Sequence, residues 1–178
     1  RLRMHIVTEQ AEAIVAAVLA IRERVDRGGV VLSFGNGGSA TDATDLAMDL
    51  VASPKGYASV PAISLASDSA TLTAIANDVG SDAIFVRQLI AHGRASDVAL
   101  AISTSGGSSN IIAALIEARA RGLLTVALLG YDGGEVARRR LADHILIVPS
   151  DQIPRVQEAQ ASIYHVMLDV LDALSRAR

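Results

Sequence analysis

Five short apolar runs, at 30–34, 62–66, 98–103, 125–129 and 145–148, recur along the chain with stretches of helical spacing between them. The helical stretches fall near 39–52, 68–78, 83–92, 109–121, 134–141 and 155–176. Strand–helix alternation leaves few topologies, because parallel strands need a long crossover and a helix is the usual one. The expected architecture is a doubly wound α/β fold, a five-stranded parallel sheet with helices on both faces, in one domain over 1–178. Apolar residues make up 51% of the chain but aromatics only 3%. The core must therefore be Ala, Val, Ile and Leu, the common filling of a sheet buried on both faces. Ahead of the first run, Ile6, Val7, Ala13, Ile14, Ala17, Val18, Ile21 and Val25 follow helical spacing, and Gly28-Gly29 ends the pattern. An extra N-terminal helix over 5–27 is expected, with an apolar stripe wide enough to pack against other subunits.

Two Gly/Ser turns follow strand runs and open helices: Phe34-Gly35-Asn36-Gly37-Gly38-Ser39 and Ile102-Ser103-Thr104-Ser105-Gly106-Gly107-Ser108. Glycine lets backbone approach an anion closely, while hydroxyls and free amides at a helix start donate hydrogen bonds to it. Neither turn contains Lys or Arg. A small anionic group is the expected guest. In open α/β sheets ligands bind beyond the carboxyl ends of the strands, and both turns lie there. Gly and Ser also favour plain tight turns, but two such turns with clustered hydroxyls point to binding.

Other classes are disfavoured. The net charge is −3 with no basic block, and aromatic platforms for bases are missing, which argues against nucleic acid. There is no cysteine, so disulfides and thiolate metal sites are excluded. Apolar runs stop short of a membrane span and no leader pattern opens the chain, so a cytoplasmic protein is expected. Gly35-Asn36-Gly37-Gly38-Ser39-Ala40 satisfies the dinucleotide pattern, but the acidic residue that should close the second strand is missing. Asp68 comes late and reads as a helix-start residue.

The order and spacing of Gly35-Asn36-Gly37-Gly38-Ser39, Ala76-Asn77-Asp78, Ile102-Ser103-Thr104-Ser105-Gly106, Asp132-Gly133-Gly134 and Arg155-Val156-Gln157-Glu158 resemble the sugar isomerase (SIS) fold, and within it the phosphoheptose isomerase family. The resemblance implies a five-stranded parallel sheet, a homotetramer with active sites between subunits, and conversion of sedoheptulose 7-phosphate to a heptose 7-phosphate. It implies substrate contacts from Asn36, Gly37, Gly38, Ser39, Asn77, Asp78 and Gln157, and a phosphate loop of Ser103, Thr104, Ser105 and Ser108. Gly107 stands where asparagine is common. The chain begins closer to its first strand than members do, so part of an N-terminal helical segment is expected to be absent.

The family's histidine and glutamate on the helix after the first loop correspond to Asp45 and Asp49. Its glutamine and histidine near the last helix match Gln157 and His165. Asp45, Asp49, Gln157 and His165 form a candidate set for a divalent cation, and carboxylate in place of imidazole makes the set harder and weakens the case for zinc. Ser53 replaces an arginine and Pro154 an aspartate. Asp49 and His165 are assigned to the proton transfers of an aldose–ketose isomerisation. Asp42 reads as a complement to the helix dipole, Arg138-Arg139-Arg140 as a solvated helix end, and His5, His92 and His144 as structural or surface residues. The rival is a non-catalytic SIS protein that binds a sugar phosphate or bridges a replication-initiator protein, a branch similar to Gly130-Tyr131-Asp132-Gly133-Gly134-Glu135.

Overall fold

The computed structural model describes residues 2–53 and 55–177, with side chains from Ile6 onward; His5 lies outside these as a side chain. Five parallel strands, β1 (Val31–Gly35), β2 (Ala62–Ser64), β3 (Val98–Ser103), β4 (Leu124–Gly130) and β5 (His144–Val148), form one sheet in the order β2-β1-β3-β4-β5. The helices are α1 (Leu2–Glu9), α2 (Ala11–Asp26), α3 (Gly38–Val51), α4 (Ser69–Asp78), α5 (Ile84–His92), α6 (Ser109–Ala120), α7 (Gly134–Arg138) and α8 (Ile153–Arg176), with a 3-10 turn at Ser81–Ala83. Each of the five apolar runs becomes a strand.

Residues on β3 alternate between two cores. Val98, Leu100 and Ile102 meet α2, α3 and α8, while Ala99 and Ala101 meet α5, α6 and α7. Every residue of β1, β3 and β4 is buried. Only the outer strands β2 and β5 are partly open. Among the described residues no helix is long and apolar enough to cross a membrane.

The expected single helix over 5–27 is broken at Gln10, which separates α1 from α2. The cause is a long-range contact. The Gln10 amide donates to the Ile147 carbonyl at 2.6 Å, and the Ile147 N–H donates to Gln10 Oε1 at 3.0 Å. One side chain thus imitates a neighbouring strand and covers part of the free edge of β5. The stripe of the N-terminal segment is largely spent inside the chain, since Ile6, Ile14, Ala17, Val18 and Ile21 are buried. Val15 and Leu19 stay exposed.

Candidate active site at the carboxyl edge of the sheet

The strand order reverses between β1 and β3, and both Gly/Ser loops leave the sheet there, at Gly35 and at Ser103. The topological rule for ligand position and the two sequence patterns therefore meet at one point.

The first loop turns at Gly37, whose φ of 57° and ψ of −122° suit only glycine. Gly38 serves close approach instead: the Gln157 side-chain amide lies where a Cβ would stand. Ser39 is buried, and its N–H donates to Asn36 O at 3.0 Å. Asn36 exchanges two amide hydrogen bonds with Asn110 at the start of α6, each 2.9 Å long. This pair stitches the first loop to the second.

In the second loop Ser103 Oγ accepts from Gly106 N at 3.0 Å and Ser105 Oγ from Gly107 N at 3.2 Å. Both hydroxyls keep their proton to donate to an anion. Ser103 is buried and Ser105 exposed, so the first holds the loop and the second faces outward. Ser108 starts α6 without using its own hydroxyl as a cap. Thr104 is half-buried between them. Gly107 has ordinary φ, and an added Cβ there would meet only Ser105 at 3.8 Å or more, so the common asparagine would fit without strain. The loop's back is braced by Gly130 and Gly134, whose missing side chains admit the Thr104 and Ser105 carbonyls.

Helix α8 brings in the chemistry. Gln157, Gln160 and Tyr164 share one face by their three- and four-residue spacing, and His165 adjoins it. The fully buried Gln160 amide donates to Ser103 O at 3.1 Å and Leu128 O at 3.0 Å, which fixes the root of the second loop. Across from α8, helix α3 presents Asp42, Asp45 and Asp49. His165 Nε2 stands 3.7 Å from Asp49 Oδ2, just beyond hydrogen-bond length. The Tyr164 and His165 rings are 4.6 Å apart. Burial, followed by the charges of Asp42, Asp45 and Asp49, pushes the Tyr164 hydroxyl up to about 12, so it stays protonated at neutral pH.

Asp42 departs from the sequence reading. It lies beyond the first turn of α3, its Oδ2 is buried with no hydrogen-bond partner, and burial together with Asp45 raises its pKa. It does not act as a solvated partner of the helix dipole. The candidate cation set is not assembled either. Among the described residues no three His, Asp or Glu side chains gather closely enough to hold a metal ion, and Asp45 is exposed. Of Asp45, Asp49, Gln157 and His165, the second and fourth face each other, while the Gln157 amide lies against Gly38 of the first loop. The donor set does not fit zinc.

Asn77 and Asp78 end α4, exposed and bonded to one another at 2.8 Å. They do not line the Asp49–His165 cavity. The segment that follows them is tied to the phosphate-loop helix through Ser109 and Asp82. Asp68 caps α4 by accepting from Ala70 N at 3.0 Å, the helix-start role read from sequence. Arg138, Arg139 and Arg140 are exposed at and beyond the end of α7, where the first two pair with Glu135. His92 is exposed and His144 half-buried. Asn110, Gln160 and Tyr164 escaped the sequence reading. The common helical face of 157, 160 and 164 was the available signal for the last two.

The SIS domain family matches residues 1–130. The phosphoheptose isomerase of Sulfurimonas denitrificans is 49% identical over 140 residues, 78% of this chain and 70% of that protein. That of Citrifermentans bemidjiense is 44% identical over 165 residues, 92% and 85% of the two chains. The chain belongs to the phosphoheptose isomerase family. Among solved members, phosphoheptose isomerase GmhA from Neisseria gonorrhoeae superposes with a TM-score of 0.90 at 35% identity, covering 97% of this chain and 92% of that one. The phosphoheptose isomerase from Francisella tularensis gives 0.87 at 35% identity, covering 96% and 92%. As a phosphoheptose isomerase this chain presents the first loop at the start of α3 and the second at the start of α6. Pro154 sits in the first turn of α8, where its missing N–H has no cost.

Proposed function

We propose that this chain interconverts sedoheptulose 7-phosphate and an aldoheptose 7-phosphate through an enediolate. The Asp49–His165 pair carries the reading: a carboxylate and an imidazole 3.7 Å apart, on α3, which the first Gly/Ser loop opens, and on α8, whose Gln160 anchors the second loop. Asp49 removes a proton from C1 of the ketose, and the electron pair forms the C1–C2 double bond as the C2 oxygen takes the negative charge. The hydroxyl proton moves from O1 to O2, and His165, protonated, delivers a proton to C2 to give the aldose. The gap between the two groups exceeds a hydrogen bond, so each is free to face the sugar rather than the other. Asn36, Gly37, Gly38, Ser39 and Gln157 hold the sugar, Asn77 and Asp78 contact it, and Ser103, Thr104, Ser105 and Ser108 with the α6 amides take the phosphate. No step uses a metal.

The same reading includes a homotetramer in the cytoplasm whose subunits share sites. Met48, Val51 and Ile63 are exposed around a groove of about 600 Å3 that also reaches Asp49, which supports burial of that face by a second copy. Light scattering should give a tetramer, and a monomer at micromolar concentration would overturn it. The activity test is to incubate purified protein with a panel of ketose phosphates, with and without divalent metals. Aldose should form from the heptose substrate with solvent deuterium at C2. Undiminished turnover by Asp49→Asn would refute the mechanism.

A further inference from the structure

The cavity holding Asp49 and His165 also has an ammonium group in its wall. It encloses about 90 Å3 and is lined by Asp49, Ser53, Lys55, Tyr57, His165 and Leu168. Lys55 is the one Lys or Arg among those lining residues, and neither Gly/Ser loop contains either. The segment after α3 that carries it is clamped onto α8. Lys55 Nζ donates to Asp169 Oδ1 at 2.8 Å, and the Tyr57 hydroxyl donates to the same oxygen at 2.6 Å. The ammonium also lies 5.4 Å from the centre of the Tyr57 ring. Asp169 is one helical turn beyond His165, so the clamp delivers Lys55 to the helix that bears the imidazole.

We propose that Lys55 is a substrate-contacting cation of the isomerase site, held by Asp169 and Tyr57, that stabilises the negative charge on the sugar oxygens during proton transfer. This rests on the isomerase reading above. An ammonium has three donors and Asp169 uses one, which leaves two for the cavity. Enediolate formation moves negative charge from Asp49 onto the sugar, in a neighbourhood that already holds Asp45 and Asp42. A fixed positive group at that point lowers the barrier because the charge appears only as the reaction proceeds. Lys55 neither gives nor takes a proton; the hydrogen bond it donates to Asp169, followed by its contact with Tyr57, favours the charged form. Asp169 is a positioning residue in this scheme.

The test compares Lys55→Met, Lys55→Arg and the double variant Lys55→Met/Ser53→Arg, since Ser53 lines the same cavity. The probes are the ketose phosphate substrate and a phosphorylated hydroxamate that imitates the enediolate. Lys55→Met should lower kcat about a hundredfold, with KM within about threefold, and weaken hydroxamate inhibition by a similar factor. Lys55→Arg and the double variant should recover most of both. A purely structural clamp would lower the melting temperature and raise KM while leaving hydroxamate affinity relative to substrate unchanged, which would overturn the proposal. Unchanged kcat in Lys55→Met beside an active wild type would overturn it and leave the isomerase reading standing. A wild type inert toward every ketose phosphate would defeat both.

Discussion

Asn36 and Asn110 exchange two amide hydrogen bonds of 2.9 Å across 74 positions of sequence, and this pair joins the two ligand loops into one surface. Each side chain donates once and accepts once, so neither can be replaced by a carboxylate or an alkyl group without leaving the other unmatched. Asn110→Ala should cost about 1–2 kcal/mol of stability and raise KM for the sugar phosphate. A double-mutant cycle with Asn36→Ala, read by urea unfolding, should return a coupling near 1 kcal/mol. Additive losses would show that the loops are held by other contacts.

The phosphate loop divides its serines by depth. Ser105→Ala should weaken binding of a sugar phosphate by about 2 kcal/mol, the cost of a lost hydrogen bond to a charged group, and leave the unphosphorylated sugar nearly unaffected. Ser103→Ala removes the acceptor for Gly106 N, so it should also lower the unfolding temperature. Calorimetric titration with both ligands, run beside thermal melts, separates the two roles.

The pair on α3 and α8 predicts a pattern of activity loss. Asp49→Asn and His165→Ala should each abolish turnover with the fold retained by circular dichroism. Asp45→Asn should leave turnover within about twofold, because Asp45 is exposed and outside any metal cluster among the described residues. A large loss in Asp45→Asn that added zinc reverses would restore the four-residue cation site.

Asp42 predicts how stability changes with pH. Burial and Asp45 raise its folded pKa above the unfolded value, so the folded state holds the proton more tightly. Stability must then fall as pH rises from about 4 through the raised folded value, and the loss persists above it. Asp42→Asn removes that penalty. Its melting temperature should exceed that of the wild type at pH 7 by more than at pH 4. An equal shift at both values would assign the effect to packing.

The sheet was legible because its strands are buried on both faces and so read as unbroken apolar runs, each followed by a crossover helix. The ligand loops were legible because the glycines and hydroxyls that bind an anion are local in sequence. Gln10 was not. It belongs to a good helical pattern, and the break there comes from hydrogen bonds to Ile147, 137 positions away. Asp42 shows the same limit from the other side: its position in α3 was plain, but the burial of its carboxyl comes from packing that the sequence pattern does not display. Asp45 shows it too: i, i+4 spacing aligns it with Asp49 along α3, but only the tertiary fold decides which side chains of α8 come near.

Helix α8 supplies Gln157, Gln160, Tyr164, His165 and Asp169, whereas the loops at 36–39 and 103–108 are bound to each other through Asn110. A chain cut short before Ile153 would lose the proton-transfer pair and the Gln160 anchor beneath the second loop in one step, while keeping the Asn36–Asn110 link between the loops.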